Sequence, residues 1–448
     1  MDAPLTFGQL STWRSMETFT PERLMEVNVP ATWDIRGIGT DAALGALRKL
    51  AERHESLRTT YHVVDGQPVQ RILEAAEPRI ELVEDGPVDP DQNTRSLLGS
   101  AFPVTDDVGW RSALVLRDGA PQYLSLSLSH MAVDLWSVQE LETQFRALVA
   151  DPSTELDPAP TARELALAQR SESWASRRKG FEKYWVNLLE KGPLHNLPAS
   201  PPRTSERRIQ ATLTSGRLGA LVAQAAEVHK VSAQSVLAAA TAVALGHALD
   251  RPRVMLSLMS ANRFEPRWRP LVSTMNQLAP LVCEPDPDTP IATYLKRTNL
   301  RAMMAYRHGC YDVDRASELT TGTGFAHDAW FNYLVDAPSS PPPTDTWSDE
   351  EATLRWSPPA RHAGHPFYIR INARDRMEIE LRTDPDLIPP TTATQILRTL
   401  TLTIHRSLTT PTSPLSSLTP HPPTDLPPTL FPKTHPEEPP APTGLIHC

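Results

Sequence analysis

The chain has 448 residues, a formal charge of -9 and 22 % charged residues, enough length for two packed lobes, since single cores stop growing beyond roughly 250 to 300 residues. The negative balance argues against nucleic acid, whose phosphates need a basic face. No apolar run approaches the roughly 20 residues of a spanning helix, and the N-terminus lacks a charged region followed by an apolar one, so a cytoplasmic protein with no membrane partner is expected. Cys283, Cys310 and Cys448 are too few, and odd in number, for a disulfide framework or a metal cluster, and no metal is expected.

A helical pattern opens the chain and a second runs over residues 41–54, where Leu44, Leu47, Leu50 and Ala51 recur at helical spacing. Short strands are expected at 57–64, 70–73, 112–116 and 123–129, with Asp65-Gly66 and Asp118-Gly119 as turns between them. A helix follows toward Ala150 and ends at Asp151-Pro152. Helical, charged sequence over 161–191 leads into a proline-rich stretch at 197–203, so residues 162–189 cross between lobes. Beyond it, 231–249 reads as a buried helix, 253–260 as a buried strand, 329–335, 368–372 and 377–382 as further strands, and 391–408 as a helix. Residues 339–349 read as an exposed loop. The expected organisation is a first lobe at 1–175, a second at 176–409, and a Pro/Thr-rich tail at 410–448, disordered or extended because it has too little apolar surface to offset ordering.

The stretch Tyr123-Leu-Ser-Leu-Ser-Leu-Ser129-His130-Met-Ala-Val-Asp134-Leu135-Trp136-Ser137 is the most informative of the chain, and its spacing alone leaves His130 open as a hydrogen-bonded structural histidine or a catalytic one. Leu124, Leu126 and Leu128 alternate with serines, as in a half-buried strand, and a helical pattern starts near Asp134 through Val138, Leu141 and Phe145. His130 therefore sits where a strand ends and a helix begins. Such a junction holds an imidazole firmly yet can leave it facing a cleft, as a general base requires. Asp134 caps the helix or orients the turn. His54, within Arg53-His54-Glu55, reads as a structural residue at a helix end, and His308, His327, His362 and His365 are scattered without metal-ligand spacing.

His130-Met-Ala-Val-Asp134 resembles the His-His-x-x-x-Asp-Gly motif of condensation domains, the amide-forming modules of nonribosomal peptide synthetases, with Ser129 in place of the first histidine and Leu135 in place of the glycine. Leu5-Thr-Phe-Gly-Gln9-Leu-Ser-Thr-Trp13 and Arg53-His54-Glu55-Ser-Leu57-Arg58-Thr-Thr-Tyr61 are similar to the two opening motifs of that family. Asn262-Arg263, Met275-Asn276-Gln-Leu278-Ala-Pro280-Leu281, Ala305-Tyr306-Arg-His308 and Asn332-Tyr333 follow in family order.

The resemblance implies an α/β fold of two chloramphenicol-acetyltransferase-like lobes, each an α+β two-layer sandwich, forming a pseudo-dimer around an interlobe tunnel. His130 would act midway along it on an acyl or aminoacyl thioester, held on the phosphopantetheine arm of a discrete carrier protein, and on an amine acceptor that is either free or carrier-borne. The product would be an amide, or an ester from a hydroxyl, and the chain itself would bind no cofactor. Asp134 would pair with Arg263, Ser129 and Asn276 would support the site, and Leu135 and Trp136 are candidates for tunnel shape and specificity. A stand-alone, monomeric enzyme acting in trans is expected. Two alternatives stay open: a coenzyme A dependent acyltransferase of the same fold, and a catalytically silent domain that recruits a carrier protein or a tailoring enzyme.

Overall fold

The computed structural model describes residues 2–418 except 75–78, 85, 87–88, 193–194, 199–206, 335–349, 362–364 and 374–375, and further residues 426–434, 436 and 439. The exposed loop expected at 339–349 and His362 lie outside the described residues, as does most of the proline-rich stretch. Helix and strand are mixed throughout.

In the first part of the chain, a four-stranded sheet runs in the order Asn28–Asp34, Ala120–Ser129, Trp110–Arg117, Ile80–Glu84. Helices Thr40–Arg53 and Leu135–Ala150 pack on it through Leu47, Leu50, Leu141 and Phe145, against Leu124, Leu126 and Leu128. The strand that delivers His130 is covered on both faces, not one: Ser125, Ser127 and Ser129 are as buried as the leucines between them. Helix Pro90–Leu98 closes the serine side, where Thr94 donates to Ser125 Oγ at 3.0 Å and shares a 2.7 Å hydrogen bond with Thr32. Small hydroxyl side chains let that polar helix approach.

Residues 207–383 build a seven-stranded sheet in the order Gln277–Cys283, Val254–Ser260, Ala329–Leu334, Phe367–Ala373, Met377–Thr383, Arg207–Ser215, Thr353–Arg361. The expected buried helix is Ala233–Leu249, capped by Ser232, whose hydroxyl accepts the Ser235 N–H at 3.1 Å. Residues 235–246 of it are all buried, because helices Gly216–His229, Ile291–Arg307 and Pro390–Thr409 surround it. We refer to the two sheet systems as the first and second lobe. A small third sheet of Asp2–Pro4, Gln67–Ile72 and Thr59–Val64 lies beside the first.

Over its described residues the tail is packed, which corrects the expectation of disorder there. Leu415 and Leu418 are fully buried with Ile291 and Tyr294, and Leu430 and Phe431 enter the second-lobe core. The backbone is tied as well: Ser215 donates to the Thr429 carbonyl at 2.7 Å, the Ala352 N–H to Pro428 at 2.8 Å and the Trp356 indole to Pro436 at 2.9 Å. Single leucines and one phenylalanine spaced among prolines make no periodic pattern, yet each fills a pocket. Removing the Phe431 ring should cost about 3 to 5 kcal/mol, the usual range for deleting a buried aromatic. Urea unfolding of Phe431→Ala checks this, and an unchanged midpoint would mean that the tail contributes nothing to the fold.

Candidate active site

The site is built where the first lobe meets a loop of the second. His130 follows the strand Ala120–Ser129 directly, and its backbone N–H donates to the Val27 carbonyl at 2.8 Å. The Ser129 carbonyl accepts from Ala132 at 2.9 Å and Val133 at 3.2 Å, winding the chain into a tight turn. Within that turn His130 Nδ1 lies 2.9 Å from the Val133 carbonyl. A carbonyl only accepts, so Nδ1 carries a proton, and in the neutral ring the lone pair is therefore on Nε2. Thr274 Oγ1 stands 3.3 Å from the same nitrogen and donates onward to Asn276 Oδ1 at 2.8 Å, so it too accepts from Nδ1. Nε2 has no polar partner among the described residues, and the ring is half-buried.

Asp134 makes no hydrogen bond with His130. It is the N-cap of helix Leu135–Ala150, accepting the Ser137 N–H at 2.8 Å, and it accepts Arg263 Nη2 at 2.8 and 3.0 Å. Its second oxygen also takes the Met275 N–H at 3.1 Å. Both charged side chains are almost fully buried, 2 % and 5 % exposed. Arg263 Nη1 donates to the carbonyls of Trp268 and Leu271 at 3.2 and 2.7 Å and Nη2 to that of Ser273 at 3.0 Å, while its Nε is buried without a hydrogen-bond partner among the described residues. A single ion pair thus ties the start of the first-lobe helix to the whole second-lobe loop from 263 to 275. Ser137 completes the knot: its hydroxyl contacts Asp134, Arg263 and the Ser273 backbone, each within 3.0 Å.

The remaining motifs converge on the same turn. Gly8 sits so close to the loop that a Cβ there would lie 2.6 Å from the Thr274 carbonyl oxygen. Gln9 reaches Tyr61 at 3.4 Å, and Tyr61, fully buried, donates to the Met131 carbonyl at 2.8 Å. Asn262 takes a left-handed backbone, φ 54°, which asparagine tolerates, and its amide donates to the Met275 and Gly309 carbonyls at 2.9 and 3.0 Å.

Ser129 is fully buried and its hydroxyl accepts the Met131 N–H at 3.3 Å. The neighbouring backbone has closed around it, since a Cβ on Gly109 would come within 2.8 Å of Ser129 Cβ. Leu135 occupies the first helical position and is 41 % exposed. Trp136 is half-buried, with its indole N–H on the Arg269 carbonyl at 3.1 Å. Sequence reading missed Thr274, Ser137 and Tyr61 as parts of the site. Ser137 and Tyr61 stand in recognisable motifs, whereas Thr274 lies in an irregular loop with no local signal.

His54 is structural. It is buried, its Nε2 is 2.8 Å from Gln144 Oε1, and burial, opposed by that hydrogen bond and reinforced by Arg53, pulls its pKa down to about 4.

A family model described as the condensation domain matches residues 28–425. The chain belongs to the condensation-domain family. Among curated proteins, this condensation domain is 26 % identical over 253 residues to the enniatin synthase of Fusarium equiseti, covering 53 % of this chain and 8 % of that one. It is 24 % identical over 304 residues to bacitracin synthase 3 of Bacillus licheniformis, covering 66 % and 5 %. The chain thus spans only a small part of the length of these relatives. Among solved structures, the condensation domain of chain release from the enacyloxin polyketide synthase aligns with TM-score 0.74 at 18 % identity, over 91 % of this chain and 83 % of that one. SgcC5 of Streptomyces globisporus aligns with TM-score 0.70 at 19 % identity, over 92 % and 100 %. The X-domain solved with OxyB from teicoplanin biosynthesis aligns with TM-score 0.71 at 20 % identity, over 93 % and 95 %. The expected chloramphenicol-acetyltransferase-like α/β fold is the one these structures share.

Two outcomes follow from this geometry. Asp134→Ala leaves a buried guanidinium without its carboxylate and should cost about 3 to 5 kcal/mol of stability, whereas His130→Ala removes a half-exposed ring and should leave the unfolding midpoint close to the parent. Equal midpoints for the two variants in urea titrations would sink the role of the pair. The second concerns pH. A histidine whose folded pKa lies near 4 binds fewer protons than the unfolded chain between pH 4 and 6.5, so stability falls as pH drops through that window, by about 3 kcal/mol at its lower end for this one group. Unfolding midpoints from pH 7 to 4 should therefore decline more steeply in the parent than in His54→Leu, after each is referred to its own value at pH 7.

Proposed function

We propose that this chain forms an amide, or an ester from a hydroxyl, between an acyl or aminoacyl thioester on the phosphopantetheine arm of a carrier protein and a nucleophile bound opposite it. The observation that carries the reading is the placement of His130: Nδ1 is committed to Val133 and Thr274, while Nε2 has no polar partner among the described residues. A thioester is already activated, so the tasks left to the protein are to hold the nucleophile near the thioester carbon and to take its proton. Nε2 accepts that proton as the nitrogen or oxygen attacks, and returns it to the departing thiolate of the arm. The Val133 carbonyl then faces an imidazolium Nδ1–H, which strengthens the contact already present. Asp134 and Arg263 act by fixing the turn and not by exchanging protons. The carrier, the donor and action in trans belong to this proposal.

A second reading, a silent recruitment domain, draws on Ser129 and Leu135, which replace two residues of the family motif, and on the likeness to an X-domain solved with OxyB. One experiment separates the two. Loaded carrier proteins, or the matching coenzyme A thioesters, are mixed with the chain and a panel of amines and alcohols, and acyl transfer is followed by intact-protein mass spectrometry. The parent should unload the carrier, and His130→Ala should do so about 100 to 10,000 times more slowly, the range a positioned base supplies. Equal rates for parent and variant favour recruitment, and faster use of coenzyme A thioesters would replace the carrier as donor.

A further inference from the structure

The seven-stranded sheet has one face sealed by helices and one that is not. Leu258, Phe331, Ile369 and Leu381 point to the sealed face and are fully buried. Alternation turns their neighbours the other way, and the register aligns those neighbours into rows. In one row Leu278 stands opposite Met259, Asn332 opposite Arg370, and Arg370 opposite Glu380. Because Phe331 pairs with Leu258, Asn332 continues the row from Met259. The adjacent row holds Ser257, Trp330, Tyr368 and Arg382. Apart from Ser257, all of these side chains are half-buried, as expected of a surface that faces a crevice.

That crevice leads to the histidine. Asn276 donates to Met259 Sδ at 3.2 Å, and Thr274 connects Asn276 to His130. From the opposite side, Glu26 acts on the Arg382 charge together with Tyr368, Glu380 and Arg370. Glu26 belongs to the turn Pro21–Val27, the same segment whose last carbonyl holds the His130 N–H.

Arg370 is the unspent group in this wall. Its Nη1 is 3.6 Å from Glu380 Oε2, an ion pair too long to be a hydrogen bond, and its side chain is 42 % exposed. It makes no hydrogen bond among the described residues. Beside Arg370, Arg382 feels the charges of Glu380 and Glu26, and Glu26 is itself paired to Arg23 at 3.3 Å.

We propose that Arg370 binds the carboxylate of a free acceptor, an ω-amino or hydroxy acid whose nucleophile reaches His130 while its acid group docks on the guanidinium beside Asn332. The inference rests on the condensation reading and narrows its acceptor. A bidentate carboxylate at hydrogen-bond distance is a better partner for a planar fork than Glu380 is at its present separation. Two strand spacings, about 10 Å, separate Met259 from Arg370, so nucleophile and carboxylate are several bonds apart, unlike those of an α-amino acid. An aminoacyl group tethered to a carrier has its carboxyl tied up as a thioester and offers no such anion. The other anion within the reaction is the phosphate of the pantetheine arm, and the test separates the two.

The full chain is titrated calorimetrically with ω-amino acids from glycine to 8-aminooctanoate, each beside its primary amide, and with phosphopantetheine. An intermediate length should bind about tenfold or more tightly as the acid than as the amide, the value of a hydrogen-bonded charge. Arg370→Gln should erase that preference without lowering the melting temperature, since the side chain is half-exposed and loosely paired. His130→Ala should keep it, so the binding result stands apart from whether the chain turns anything over. The proposal is overturned if no acid outbinds its amide, if the preference survives Arg370→Gln, or if Arg370→Gln weakens phosphopantetheine and spares the acids.

Discussion

The pair formed by Asp134 and Arg263 is the constraint on which the rest of the site depends. Two opposite charges are buried at 2.8 Å, and burial on that scale is tolerated only when nearly every donor and acceptor is used. Here the carboxylate caps a helix, takes a second backbone N–H and holds the guanidinium, while the guanidinium gathers three carbonyls of its own loop. The net stability such a pair supplies is small, but the cost of misplacing either partner is large. The arrangement therefore specifies one relative placement of helix and loop. Because Asp134 lies four residues after His130, and Thr274 lies on the clamped loop, that placement sets both ends of the histidine environment.

His130 is consequently held through its backbone and one nitrogen, and by almost nothing else. Val27 takes its N–H, Val133 and Thr274 take Nδ1–H, and Tyr61 fixes the next carbonyl. All of these contacts come from buried or half-buried groups on separate segments of chain. In the role proposed for it, His130 would need a fixed lone pair more than an acidic partner, because the imidazolium formed would be transient and stabilised by a carbonyl dipole. The aspartate of the motif is thus free to serve the fold, and the geometry uses it that way.

The alternation of leucine and serine made the strand before His130 legible, as did the helix after it, but not the closure of its serine face. Helix Pro90–Leu98 is polar in sequence, and only its fit against small hydroxyls explains why it covers a sheet. Val254–Ser260 and Ala233–Leu249 were legible because they are apolar almost throughout. Gly216–His229 was not, although Ser215 caps it, because the more strongly apolar helix beside it dominated the pattern. In the site, the partnership of Asp134 and Arg263 could be named only by resemblance, since 129 residues separate them. Thr274 carried no local signal at all, because long-range proximity in an irregular loop leaves no period to read. The tail misled for the opposite reason: its composition is that of an unfolded segment, while a few isolated side chains decide its packing.

The departures from the family motif can be weighed against what surrounds them. Ser129 is tightly enclosed, since a Cβ on Gly109 would come within 2.8 Å of its Cβ, and the serine hydroxyl satisfies the next backbone N–H but one. Positions 109 and 129 are therefore coupled, because any side chain added at 109 would force the chain leading into Trp110 away from Ser129. Leu135 differs in kind. It is exposed at the first turn of a helix whose cap is already made by Asp134, so nothing in the fold demands leucine or forbids glycine there. Ser129 is explained by internal packing, and Leu135 is left as the position where the motif can vary without disturbing the Asp134–Arg263 clamp.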